Sequence, residues 1–160
     1  DEYSAVVGFA AQADDEYLIV NEISIHGKYD GYMLRKTENL FRIDYDSYYE
    51  NSLFKVFNKR NVKHKEIPEE KSTFVNFIQF AKASGFVVSV GIKDYDKNSV
   101  TGYIDSIDLE GKTFVIHTIT QEKEGGFDGF TAVNFDGVFR MRCDSGGDRF
   151  YQELNEMASV

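Results

Sequence analysis

Asp30-Gly31-Tyr32, Leu40-Phe41-Arg42-Ile43 and Asp46-Ser47 are answered by Asp128-Gly129-Phe130, Val138-Phe139-Arg140-Met141 and Asp144-Ser145, at a constant separation of 98 residues (128 − 30). Working backwards, Tyr17-Leu18-Ile19 meets Phe114-Val115-Ile116 at 97 (114 − 17), and Gly8-Phe9 meets Gly102-Tyr103 at 94 (102 − 8). The changes in spacing fall in polar loops, while the apolar runs stay in step. Duplicated folding units behave this way, because loops accept insertions and packed strands do not.

Each half reads as strand, strand, hairpin, helix. In the first, Ala5 to Ala10, Tyr17 to Ile25, Gly31 to Lys36 and Leu40 to Tyr45 are β-rich runs separated by Asp-Asp or Gly-containing turns. In the second, the runs are Val100 to Ile107, Thr113 to Thr120, Gly129 to Phe135 and Val138 to Arg142, with Glu110-Gly111 and Asp136-Gly137 as turns. A helix follows each half: Ser47 with Glu50 makes a capping box ahead of Tyr49, Leu53 and Val56, and Ser145 with Asp148 precedes Phe150, Leu154 and Met157. Both helices are expected to cover an open barrel end. Ser72 caps a further helix, with Phe74, Phe77, Ile78 and Ala81 on one face and Gly85 as its stop. Phe86 to Ile92 is then a strand without a counterpart before Ala5, so the first half looks shortened.

These elements define a mainly β chain with accessory helices: two tandem small antiparallel barrels joined by a charged linker and a helix. The first, shortened barrel with its C-terminal helix takes residues 1–57, the charged linker 58–71, and the second barrel with N- and C-terminal helices 72–160. A first residue of Asp rather than Met suggests an incomplete parent, with residues missing upstream.

Composition narrows function mostly by exclusion. A chain of 160 residues with 42% hydrophobic content can build cores of this size, and 14 Phe and 10 Tyr without Trp suit half-buried strand faces. The net charge of −9 repels phosphate backbones, which disfavours general nucleic-acid binding. The single cysteine, Cys143, excludes an internal disulfide and a multi-thiolate metal site, and fits a reducing, cytoplasmic setting. No run is long and apolar enough to suggest a membrane span, so no membrane association is expected.

The second half resembles an Sm-like protein. The similarity rests on the Ser72 helix, on Val88-Ser89-Val90-Gly91-Ile92, and on Val100-x-Gly102-x-Ile104-x-x-Ile107-Asp108, in which Gly102 lets a strand bend strongly. Gly8 is its counterpart in the first half. The resemblance implies a helix followed by five strands. The family's RNA-contacting Asn and Arg-Gly motifs have no match, and Phe41-Arg42 and Phe139-Arg140 place Arg within a strand instead. The chain also looks like a group of bacterial proteins carrying Asp-Gly-Tyr after a long strand, a likeness that brings no activity with it.

Several residue groups invite a chemical reading and have a simpler one. Asp94-Tyr95-Asp96-Lys97-Asn98 with Asp105 begins a calcium-loop spacing, but Ser99 stands where that loop needs Gly, so a solvated turn suffices. Asp46 and Asp144 precede capping serines, where negative charge favours a helix N-terminus. Arg142 beside Cys143 suggests a lowered thiol pKa, yet none of His26, His64 or His117 is placed as a base by the sequence, and a packed, inert thiol is simpler. His117 takes the place of Val20 in a core-like strand and reads as a satisfied or edge histidine. Gly125-Gly126 reads as a loop. Gly146-Gly147 ahead of a helix offers backbone N–H groups to an anion, though no accompanying Lys pattern supports a phosphate site.

What remains is a recurrent pair, Arg42 and Arg140, flanked by aromatic and apolar neighbours and expected to project from one barrel face. With Arg142 and Tyr45 they form a candidate docking spot for an acidic peptide or another subunit. The expected function is therefore a non-enzymatic cytoplasmic interaction module, using no cofactor or metal, that binds a protein partner or itself through exposed strand edges. The alternative is an Sm-like RNA- or DNA-binding regulator.

Overall fold

The computed structural model describes residues 5–93, 99–120 and 126–158. Eight strands, β1 (Gly8–Ala13), β2 (Tyr17–Ile23), β3 (Tyr29–Lys36), β4 (Val87–Ile92), β5 (Val100–Asp108), β6 (Thr113–Ile119), β7 (Phe127–Asn134) and β8 (Val138–Cys143), are joined by helices α1 (Tyr48–Asn58), α2 (Thr73–Ser84) and α3 (Gly146–Ala158). All neighbouring strands are antiparallel, in the order β1-β2-β3-β8-β4-β5-β6-β7. Two tandem closed barrels are therefore not what forms. The chain makes one open sheet, because β3 pairs with β8, Tyr32 opposite Cys143 and Leu34 opposite Met141.

The expected fourth strand of the first half, Leu40 to Tyr45, does not form either. After a 3-10 turn over Thr37–Asn39 the chain leaves the sheet, and residues 41–49 are exposed. A strand needs a ladder neighbour as well as an alternating pattern, and β8 occupies the edge of β3.

Alternation along each strand divides the sheet into two faces. On one lies α2, capped by Ser72 and ended by Gly85 in the left-handed region at φ 67°. Its Phe77, Ile78 and Ala81 share a continuous core with Ile19 and Leu34 from β2 and β3, and with Val88, Ile116 and Met141 from the later strands. Phe77 is fully buried, and truncating such a ring to Ala costs about 3–5 kcal/mol. The opposite face carries α3: Ser89, between core residues Val88 and Val90, donates to Asp148 of that helix at 2.7 Å.

The charged stretch 58–71 is strapped to the first strands. Gln12 donates to the Ile67 carbonyl at 2.6 Å, the Lys65 N–H donates to the Tyr32 hydroxyl at 2.8 Å, and Ile67 itself is buried in the core. Phe57 of α1 packs on His64 and Phe9, closing this end of the sheet.

Local geometry recurs between the halves. A Cβ at Gly8 would collide with the Asn21 carbonyl, and one at Gly102 with the His117 carbonyl. Bulges lie between Ala10 and Gln12 and between Ile104 and Ser106, a separation of 94 (104 − 10). A second pair lies between Asn21 and Ile23 and between His117 and Ile119, a separation of 96 (117 − 21). Gly31 and Gly129 both have positive φ, 81° and 86°, as do Asp46 and Asp144 at 60° and 55°. Both expected capping pairs are present: the Ser47 N–H donates to Glu50 at 2.9 Å, and the Ser145 N–H donates to Asp148 at 3.1 Å. The pairing registers thus match β2 to β6 at 96, where apolar pattern alone suggests 97.

Gly31 and Gly129 make a clean comparison. A Cβ at Gly31 would meet the Cys143 and Asp144 carbonyls at the β3·β8 junction, whereas at Gly129 on β7 it would meet nothing within 4 Å. Gly129→Ala should lose about 1 kcal/mol from the positive φ alone, and Gly31→Ala at least twice that, read as denaturant midpoints.

Candidate interaction surface

β8 carries Arg140 and Arg142 on the face opposite the core, with Arg35 of β3 directly across from Arg140. Burial, together with neighbouring Arg35 and Arg142, pushes the pKa of Arg140 down. Arg142 lies 3.5 Å from Asp148, whose carboxylate also accepts from the Ser145 N–H and hydroxyl and from Ser89. Arg42 lies elsewhere, on the exposed segment after β3, where it pairs with Asp44 at 2.9 Å; Tyr45 on the same segment is 84% exposed. Arg42 and Arg140 therefore do not share a face, since only one of them lies in a strand.

The other groups singled out from the sequence find structural occupations. The N-terminus of α3 is filled by the chain's own carboxylates, because the Gly146 N–H donates to Asp30 at 2.9 Å and the Asp148 side chain caps the first turn. Asp144 accepts from Tyr29 and pairs with Arg149. Cys143 is fully buried, and burial pushes its thiol well above the usual range, away from a nucleophilic thiolate. Residues 94–98 of the calcium-loop spacing, and Gly125, lie outside the described residues. Among the described residues no three His, Cys, Asp or Glu side chains gather as a metal site. An open cleft of about 550 Å³ lies between the β1–β2 turn and the start of α2. Its Asp14 is committed to the N–H groups of Glu16, Tyr17 and Thr73.

Three exposed apolar surfaces stand out among the described residues. On the α3 face, the His117 ring stacks between Phe127 at 3.6 Å and Phe130 at 4.4 Å, forming an aromatic slab at the β7 edge. Among the described residues β7 pairs only with β6, and Phe130 is 63% exposed. On α3 the expected inward stripe is reversed: Phe150 and Met157 are 57% and 73% exposed, while Asp148 and Asn155 are buried. The sheet beneath presents Ser89, Arg142 and Tyr103, so α3 meets it with polar groups, Tyr103 hydrogen-bonding Asn155. The third surface is the segment after β3, where Ile43 is 67% exposed beside Tyr45. The sequence pattern holds a cue to the slab. Phe114 and Ile116 alternate into the core, which places His117 on the opposite face.

These features define an open antiparallel sheet with β1 and β7 as its edge strands among the described residues, and with exposed aromatic surfaces beside β7. No family model matches this chain, and neither a curated protein nor a solved structure matches it. Among the described residues no helix is long and apolar enough to cross a membrane.

Beside Arg142 and Asp148, Glu22 has one carboxylate oxygen buried without a hydrogen-bond partner among the described residues. Burial pushes its pKa from 4.5 to about 7; Arg142 opposes this shift, and Asp30 and Asp148 reinforce it. The unfolded chain thus ionises Glu22 at lower pH than the fold does. Its contribution is fully present below pH 4.5 and is lost as pH rises towards about 7. Glu22→Gln should flatten this fall and stabilise the protein by about 1–3 kcal/mol above pH 7, with little change in acid, measured by urea denaturation across pH.

Proposed function

We propose that this chain is a non-enzymatic interaction module built from two related Sm-like units, acting in the cytoplasm and binding protein partners through the β7 edge and the apolar surfaces beside it. The observation that carries this reading is the edge of β7, which pairs only with β6 among the described residues and is flanked by the Phe127–His117–Phe130 slab. Main-chain groups at such an edge bind an added strand, and aromatic rings beside it supply desolvated contact. The relatedness of the two units is supported by bulges, glycine approaches and capped helices that recur at 94, 96 and 98 residues (104 − 10, 117 − 21, 144 − 46).

Phe130→Lys with Ala132→Lys places two charges on the slab side of the edge strand, at positions that are both exposed. This variant should fold with an unchanged far-UV spectrum and lose the association that the parent shows in quantitative pull-down and light scattering. A parent that retains no protein and stays monomeric at every concentration overturns the proposal.

A second reading, an Sm-like RNA- or DNA-binding regulator, is favoured by the stacked slab, since bases stack on exposed aromatic rings. The charge of −9 opposes it. Gel-shift titration at low salt separates the two, retention of RNA or DNA supporting the second reading and no retention removing it.

A further inference from the structure

The junction that holds the sheet together exists once as a formed ladder and once as two exposed halves. In the formed ladder, Tyr32, Met33, Leu34 and Arg35 of β3 lie opposite Cys143, Arg142, Met141 and Arg140 of β8. The same separation of 98 residues carries β3 onto β7, with Tyr32 at Phe130 and Leu34 at Ala132 (132 − 34). It carries β8 back onto the segment after β3, with Met141 at Ile43 (141 − 43) and Cys143 at Tyr45. β7 is an edge strand that pairs only with β6 among the described residues, and the segment from Phe41 to Tyr45 keeps the alternation of a strand while lying outside the sheet. Each half of the second junction is thus present in every chain, and within one chain the two are not paired.

We propose that the partner of the β7 edge is a second copy of this chain, which lays its residues 42–45 antiparallel along β7 with Phe130 opposite Tyr45, Thr131 opposite Asp44, Ala132 opposite Ile43 and Val133 opposite Arg42. This inference rests on the interaction-module reading and names its partner.

The side chains fit the register. Ile43 and Tyr45, 67% and 84% exposed in a single copy, fall on the same face as Ala132 and Phe130, so the added strand extends the aromatic slab with apolar side chains. A slip of one residue would set Arg42 and Asp44 on the slab instead. Strand direction accounts for a difference between the two junctions. β1-β2-β3 and β5-β6-β7 keep the same lateral order, yet β3 and β7 are five antiparallel steps apart and run in opposite directions, so equivalent residues face opposite sides. Tyr32 and Leu34 point to the α2 core, whereas Phe130 lies on the α3 face. The formed junction is buried from within the chain, and its counterpart is left for a neighbour to cover. Since edge and strand are different surfaces, the contact is heterologous, and it adds copies until a ring closes or the geometry stops it.

The test combines mass with register. Light scattering on the full chain should give a mass above the 18.3 kDa of one copy, and Ile43→Lys should return it to one copy with an unchanged thermal midpoint. For register, the single variants Ile43→Cys and Ala132→Cys are mixed under oxidised glutathione, with Cys143 left in place because it is buried. The mixture should form a cross-linked pair, and the control mixture of Asp44→Cys with Ala132→Cys should form several-fold less. Equal cross-linking in both mixtures, or self-association that survives Ile43→Lys, overturns this pairing. A parent chain that stays monomeric also overturns it. If that monomer still retains another protein in a Phe130-dependent way, the interaction-module reading stands without this partner; if it retains none, both fall.

Discussion

The pairing of β3 with β8 places residues more than a hundred positions apart side by side in the middle of the sheet, and the remaining architecture is arranged around it. Without this ladder the first three strands and the last five would each offer an open edge. With it, apolar residues from both halves reach one face and meet α2 in a continuous core. The same pairing decides what stays outside. By occupying the edge of β3, β8 displaces the segment that follows β3, whose alternating residues are left in solvent. Conformational and solvation costs thus fall on a stretch whose composition suits a strand.

Polar groups complete the opposite face. Asp148 is almost wholly buried, yet it is supplied with two serine hydroxyls, a backbone N–H and the Arg142 guanidinium. A buried carboxylate is tolerable on these terms. Glu22, close by, lacks such provision for one of its oxygens and holds its proton to higher pH. The arrangement also turns α3 around. Its inner side is committed to hydrogen bonds, and Phe150 and Met157 project outwards.

Much of the local structure was legible in the sequence. The serine caps of all three helices, Gly85 as the stop of α2, and the runs of eight of the nine expected strands follow from turn chemistry and alternation. What alternation cannot supply is which face is inside. Because β3 and β7 run in opposite directions in a common sheet, matching residues point to different sides, and aligning apolar positions shifts β2 against β6 by one residue. The stripe of Phe150, Leu154 and Met157 misleads in the same way, since helical spacing identifies a face without saying what lies beneath it. The closed-barrel expectation fails on a non-local fact: strand pairing between the halves is set by which edges meet, and no short-range signal encodes that. The docking group fares likewise, since Arg42 and Arg140 have matching sequence neighbours and different surroundings.

Order of synthesis gives the β3·β8 ladder a further meaning. β3 is made about a hundred residues before β8, so the middle of the sheet stays unfilled until residue 143 is available. Until then the nascent chain carries a β3 paired with β2 on one side and open on the other, a template that any passing strand of like pattern can join. Chaperone occupancy on this chain should accordingly be high before β8 emerges, and the slow step of folding should be the insertion of β8 between two strands already in place.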